Sequence, residues 1–369
     1  MKILYGVQGT GNGHITRANA ISEVLATQPG VEVTWLLSGR EANGLLEVKG
    51  STEFRRGLTF ASQDGKICYR NTLLKNNPLV LLRDIARLDL TQYDCLVTDY
   101  EPVLSWAAKY RGRETIGIGH QYAFKYPVPR KGHNAFNMGI LNQFAPADIG
   151  LGLHWHHFGH PVLPPICDVP KVSEVSQDTN KIVVYLPFEN QESVIDQLRA
   201  LTHWDFYLYS PQLSNGQSGN IHRRSLSRAG FKQDLMTCAG VITNTGFELI
   251  SECLSLGIKV LTKPLDQQVE QLSNGAALDL LGYAEVVKKI ETASVRHWLE
   301  HGVPVKVTYP AVHEAIGQWL VAPEKQSIEA LSEGLWRNVI VHRGLQTISK
   351  GVCPQPLLSG LKTKPGAYT

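Results

Sequence analysis

Three glycines lead into an imidazole in Gly9-Thr10-Gly11-Asn12-Gly13-His14. A glycine turn that opens a helix can bring backbone amides against a diphosphate, which makes Gly11, Asn12 and Gly13 candidate ligand-binding residues. An imidazole that titrates near neutrality can take a proton from a hydroxyl, and His14 is the candidate for that step. Two other readings of the turn stand beside this one. In a dinucleotide loop, Ser38-Gly39-Arg40 would suit a 2′-phosphate, but His14 stands where the third glycine of Gly-x-Gly-x-x-Gly permits close helix approach. In the other, the turn holds no ligand.

A second group, Thr98-Asp99-Tyr100-Glu101-Pro102, follows an apolar run of strand type. Asp99 there can orient the imidazole and stabilise its protonated form, or cap the helix expected from Val103 to Tyr110; the two roles are compatible. In the second half, Asn244-Thr245-Gly246-Phe247-Glu248 lies between a strand and a helix, where free amides form an anion site. Thr245 and Glu248 also have the spacing of a capping box, which would spend both on the helix itself. Glu252, four residues on, can accept from ribose hydroxyls or be an ordinary solvated carboxylate, and Glu270 and Gln271 can bond a polyol. The four imidazoles of His154-Trp155-His156-His157-Phe158-Gly159-His160 lack i, i+4 spacing and a nearby carboxylate, so no metal site is expected.

These groups need a scaffold that gathers strand ends at one edge. Strand-type runs at 3–7, 31–37, 93–98, 115–118 and 148–153 alternate with helical patterns, predicting an α/β domain with a parallel sheet covered on both faces. Ile15, Ala18, Ile21 and Leu25 recur at three and four residues, as one face of a helix does. Prolines between 158 and 172 mark a connection, after which strand-type runs at 181–186, 205–209, 240–243, 259–262 and 284–287 repeat the alternation. Val269, Leu272, Ala276 and Leu280 predict the core face of one intervening helix. The expected division is an N-terminal α/β domain over 1–160, a linker over 161–180, a second α/β domain over 181–290, helices over 291–345 and a loose tail over 346–369. The basic amphipathic stretch 71–90 either touches lipid or packs on its own domain.

A chain of 369 residues, 43% hydrophobic and 19% charged, suffices for two globular domains and is neither disordered nor a coiled coil. Its 36 Lys and Arg against 33 Asp and Glu leave +3, too little to predict a nucleic-acid partner. Six cysteines without a C-x-x-C pair, and no signal-like or 18-residue apolar run, point to a cytoplasmic protein without zinc or disulfide scaffolding.

Taken in order, these motifs resemble the GT-B nucleotide-sugar glycosyltransferases, a family that includes the peptidoglycan lipid II N-acetylglucosaminyltransferases and the small-molecule UDP-glycosyltransferases. The resemblance covers residues 1–289 and implies two Rossmann-like doubly wound domains facing across a cleft. It places the general base on His14 and its partner on Asp99. A His-Glu-Gln-Asn turn is similar to Gly119-His120-Gln121-Tyr122, with the acid absent, and puts Glu101, His120 and Gln121 on the acceptor side. An interdomain Gly-Asn-Pro-Val is similar to Gly159-His160-Pro161-Val162, and a base-cradling segment to Phe231-Lys232-Gln233-Asp234-Leu235. Thr245, Gly246 and Phe247 would then meet the diphosphate, Glu252 the ribose, and Glu270 and Gln271, with Asn274 after them, the donor sugar.

The resemblance implies sugar transfer from a nucleotide diphospho-sugar, a UDP-sugar by family, to the hydroxyl of a small-molecule, lipid-linked or glycan acceptor. His14 would remove the proton while the helix beginning at Gly246 meets charge growing on the diphosphate. One base without a carboxylate nucleophile implies inversion; without an Asp-x-Asp motif, no metal and no cofactor beyond the nucleotide-sugar co-substrate is expected, and contact with a membrane would be peripheral. Epimerisation of a sugar nucleotide and non-catalytic sugar-nucleotide binding are the alternatives.

Overall fold

The computed structural model describes residues 1–39, 46–58, 62–63, 66–67, 77–167, 178–343 and 346–348. The first part of the chain forms β1 (Lys2–Gln8), α1 (Asn12–Ala26), β2 (Glu32–Ser38), β3 (Ser51–Arg55), the short β4 (Ser62–Gln63) and β5 (Lys66–Ile67), α2 (Pro78–Arg87), β6 (Cys95–Asp99), α3 (Pro102–Tyr110), β7 (Ile116–Gly119), a 3-10 turn (His120–Lys125), α4 (Ala135–Phe144) and β8 (Ile149–Gly152). The second part adds β9 (Asp178–Tyr185), α5 (Gln191–Arg199), β10 (Asp205–Tyr209), β11 (Gly216–Ser218), β12 (Ile221–Arg224), α6 (Arg228–Thr237), β13 (Cys238–Asn244), α7 (Phe247–Leu256), β14 (Lys259–Lys263), α8 (Val269–Leu281) and β15 (Glu285–Val286). After these come α9 (Thr292–His301), β16 (Val305–Thr308), α10 (Val312–Val321), α11 (Ile328–Trp336), β17 (Ile340–Arg343) and β18 (Gln346–Ile348).

The first sheet has the order β3-β2-β1-β6-β7-β8, every neighbouring pair parallel. Helices cover both faces, so β1 is buried from Ile3 to Gln8 and its sequence is continuously apolar through Val7 apart from Gly6. The second sheet has the order β11-β12-β10-β9-β13-β14-β15, parallel except for the β11–β12 pair. Each order reverses once, between β1 and β6 and between β9 and β13. In open α/β sheets the crevice at such a reversal is where ligands sit, outside the carboxyl ends of the strands. His14 and Asp99 flank the first reversal, and Asn244 to Glu248 lie at the second.

Helix α1 buries Ile15, Ala18, Ile21 and Leu25, the stripe expected of it, and also Arg17, Asn19 and Ser22. The extra burial has two sources. Asn19 Oδ1 and Ser22 Oγ accept the amides of Glu47 and Lys49, and α10 returns from the C-terminal part of the chain to cross α1. At that crossing a Cβ on Gly317 would lie 2.5 Å from Val24 Cγ1, so only glycine permits the approach.

Three expectations change. The stretch 291–345 is not wholly helical, because β16 and β17 pair antiparallel within it, with β16 alternating buried and exposed residues as a half-buried strand does. Helix α8 buries Gln271, Ser273, Asn274, Ala277, Leu278 and Leu281 rather than the face through Leu272, Ala276 and Leu280, since its polar side packs against the first lobe. Helix α2 sinks Ile85 into the first lobe's core while Leu79 and Leu82 remain exposed. Of the sequence expectations, Arg40, residues 71–76 of the amphipathic stretch, 168–177 of the linker and 349–369 of the tail lie outside the described residues. Among the described residues, no helix is long and apolar enough to cross a membrane.

Candidate active site

The register of β1 against β6 sets Val7 opposite Asp99, and the glycine turn then carries the chain into α1, where His14 sits in the first turn. His14 Nδ1 lies 2.7 Å from Asp99 Oδ1. Arg17, one turn further along α1, donates from Nε to Asp99 Oδ2 at 2.8 Å and from Nη2 to Asp99 Oδ1 at 2.6 Å. With Nη2 so engaged, its 2.9 Å approach to His14 Nδ1 is best assigned as secondary. The ring then donates Nδ1–H to Asp99 and keeps Nε2 as the free base. Burial alone would push the Asp99 carboxyl up, but Arg17 and His14 outweigh it and hold the group below its ordinary value. The Arg17 guanidinium also loses by burial, and Asp99 and Glu248 more than restore its charge.

Backbone shape keeps this pair clear. Tyr100 takes a left-handed φ of 56°, which lays its ring parallel to His14 at 6.4 Å between centroids while its hydroxyl donates to Leu141 O. Gly119, at φ 151°, passes so close that a Cβ would lie 3.4 Å from both Asp99 Oδ1 and Arg17 Nη2. Beside it, Gln121 Oε1 is buried without a hydrogen-bond partner, 3.2 Å from that same Cβ position, while Gln121 Nε2 donates to Glu270 at 3.3 Å.

The facing edge belongs to the second sheet. Gly246 ends the loop after β13 and caps α7 without a side-chain bond. The capping box read from Thr245 and Glu248 does not form. Thr245 is buried with its hydroxyl paired to that of Thr262 at 3.0 Å, and Glu248 bonds Arg17 across the lobes. Gln271 Oε1 accepts the amides of Thr245 and Leu265 at 3.2 and 3.0 Å, so this oxygen ties the ends of β13 and β14 together instead of pointing at a ligand. The Phe247 side chain is buried against His120, their rings parallel at 4.1 Å, so it is interlobe packing and only its backbone amide is left to meet a diphosphate.

His120 is itself buried, Nδ1 at 2.8 Å from Leu153 O and Nε2 at 2.6 Å from Asn274 Oδ1, so it joins the lobes and has no nitrogen left for an acceptor. Glu101 is likewise no acceptor-side group. It is wholly buried, caps α3 by accepting the amides of Val103 and Leu104, and takes a 2.5 Å hydrogen bond from Ser38. Glu101, not Asp99, therefore serves as the cap. Burial pushes its carboxyl up to about 7 against the pull of those bonds.

The remaining candidates divide between the second reversal and the glycine turn of the first lobe. Phe231 is partly buried in α6 between Tyr185 and Tyr209, with Lys232 beside it; Glu252 stands on α7 one turn past Glu248, partly exposed; Asn12 is exposed and Gly11 and Gly13 partly so. Glu189, Asn244 and Lys263 form a cluster missed in the sequence, with Lys263 Nζ and Asn244 Nδ2 donating to Glu189 Oε1 at 2.7 and 3.1 Å. Arg17 was missed as well, although its spacing of three from His14 puts both on one helix face. His154, His156 and His157 each accept a neighbouring backbone amide at Nδ1, and burial holds all three below the ordinary imidazole value, His156 at about 4. They are neutral turn and packing groups. Among the described residues, no three His, Cys, Asp or Glu side chains are grouped to hold a metal ion.

The fold has clear relatives among solved structures. The glycotransferase of kitacinnamycin superposes with a TM-score of 0.56 at 16% identity, over 80% of this chain and 88% of that one. UGT89C1 of Arabidopsis thaliana, complexed with UDP, gives 0.52 at 12% over 91% and 94%. The spinosyn rhamnosyltransferase SpnG, complexed with spinosyn aglycone, gives 0.52 at 11% over 91% and 97%. No curated protein sequence matches the chain significantly. The family model described as glycosyl transferase family 1 matches residues 1–304. The protein is a GT-B glycosyltransferase and belongs to glycosyl transferase family 1.

Proposed function

We propose that this glycosyltransferase moves a sugar from a UDP-sugar to the hydroxyl of a small-molecule acceptor, with inversion at the anomeric carbon and no metal requirement. The observation that carries this reading is the His14–Asp99 contact of 2.7 Å at the reversal of the first sheet, opposite the first turn of α7. The free Nε2 of His14 takes the acceptor proton as its oxygen attacks, and Asp99 holds the imidazolium that results. His14 is a single base at this edge, and the carboxylates beside it, Asp99 and Glu248, are both bonded to Arg17, which supports direct displacement over a carboxylate nucleophile. The amides at the start of α7 meet the charge that grows on the leaving diphosphate, which is work a divalent cation does in other enzymes. Gln121 Oε1, buried beside the pair and lacking a donor, is positioned to accept a hydroxyl of sugar or acceptor. UDP in the Arabidopsis relative and an aglycone in SpnG support the choice of donor and acceptor class.

A thermal-shift panel of nucleotide-sugars tests the donor. A true donor at 100 times its dissociation constant adds about 2.7 kcal/mol of stability. A panel in which no UDP-sugar stabilises the protein removes the donor assignment. A UDP-sugar that is converted to an isomer without any acceptor makes the protein an epimerase instead.

A further inference from the structure

Arg17 is 2% exposed, yet its guanidinium joins groups from both lobes. One edge bonds both oxygens of Asp99 on β6, and Nη1 bonds Glu248 in the first turn of α7. Gly13 makes the second contact accessible, since a Cβ there would lie 2.3 Å from Glu248 Cδ. The Glu248 carboxylate thus reaches into the glycine turn of the first lobe. Counting Arg17 as +1 and Asp99 and Glu248 as −1 each, the cluster carries −1 with His14 neutral and zero with His14 protonated.

We propose that Arg17 is a positioning residue that clamps Asp99 against His14 with one edge and engages the second lobe through Glu248 with the other, so that contact between the lobes sets the charge balance at His14. A planar fork is what lets one cation do both. When the lobes separate, Glu248 leaves and Arg17 acts undivided on Asp99, which disfavours a proton on His14; when they meet, Glu248 offsets Arg17 and the imidazole becomes the stronger base. The base is then strongest in the closed arrangement, where donor and acceptor lie together. This deepens the reading of His14 as general base and rests on it. The other titratable groups facing the cluster are Tyr100 beside His14 and Tyr5 and Tyr122 behind Asp99, all pushed up by burial and neutral; Glu270 bears on Tyr100.

Nitrogen-15 NMR of the histidine rings in the full chain, with the His14 signal identified by its loss in His14→Gln, reads the titration midpoint of His14 without any substrate. Arg17→Gln is expected to raise that midpoint by about one pH unit, and Glu248→Gln to lower it by roughly half a unit. A midpoint unmoved in either variant overturns the proposal. If circular dichroism shows that Arg17→Gln does not fold, Glu248→Gln decides alone, because its side chain is partly exposed and its loss leaves the Asp99 clamp in place. Failure of the transferase reading looks different: no nucleotide-sugar is turned over while the opposed shifts persist. Unmoved midpoints in a protein that does transfer sugar sink the Arg17 assignment alone.

Discussion

The two sheet edges that face each other use polarity in opposite ways. At the ends of β1 and β6 the buried groups are ionisable: Asp99 and Arg17 are paired around His14, and Glu101 is buried two residues after Asp99 at the start of α3. At the ends of β13 and β14 the buried groups are mostly neutral amides and hydroxyls. Gln271 holds two backbone amides, Thr245 pairs with Thr262, and Asn274 Nδ2 donates to Thr245 O at 3.1 Å. One charged pair lies among them: Lys263, the last residue of β14, and Asn244, the last of β13, both donate to Glu189 Oε1. Buried charge makes proton affinity adjustable, whereas a rigid neutral frame presents amides to a polyanion without competing for it. On the proposed function, the first edge would handle the proton and the second would hold the donor.

Changes at the first edge should then act on turnover and pH dependence, and changes at the second on donor affinity. His14→Ala provides the largest effect: transfer should fall roughly 100-fold or more, with donor affinity by calorimetry nearly unchanged. Loss of donor binding in that variant would erase the contrast and make His14 a phosphate ligand. Glu101 gives a stability effect of opposite sign to the usual carboxylate. Its folded value of about 7 lies above the ordinary 4.5, so the folded state binds the proton more tightly. The stability this provides is complete below about pH 4.5 and is lost as pH rises through 7, by about 3 kcal/mol in all. Melts of Glu101→Gln between pH 5 and 8 should be flatter than those of the native protein, and parallel curves would show that Glu101 is ionised throughout.

Gln271→Ala tests the neutral edge. It strips two buried amides of their acceptor, so stability should fall by about 1–3 kcal/mol and the KM for donor should rise while the pH profile keeps its shape. A displaced pH profile would mean that the two edges are not separable. The smallest effect is expected far from both. Gly317→Ala should cost about 1 kcal/mol by overpacking Val24 where α10 crosses α1, seen as a lower melting temperature with donor affinity retained.

Sequence patterns reached the strands of both sheets except β3, β11 and β12, together with the glycine turn with His14, the position of Asp99 and the loop at Gly246, because each is local: a hydrophobic period, a turn residue or a short spacing. The groups that escaped are defined by distant partners. Arg17 becomes a clamp only when β6 brings Asp99 beside α1, and Glu101 is withdrawn from the cleft because Ser38, 63 residues away, meets it in the core. The polar face of α8 reads as facing a ligand until His120 and His133 arrive from the first lobe, at 2.6 Å from Asn274 and 2.9 Å from Ser273. Thr245 and Glu248 have the right spacing for a capping box, but partners outside the helix take both.

The return of α10 onto α1 bears on how the molecule can open. The polypeptide passes between the two halves three times: between β8 and β9, on the way into α10, and back again into β17, which pairs with β16 beside α7. Halves joined at more than one place are restrained against swinging as a door does on a single hinge. Cutting the first of these crossings should leave both pieces travelling together on a sizing column, held by the later ones.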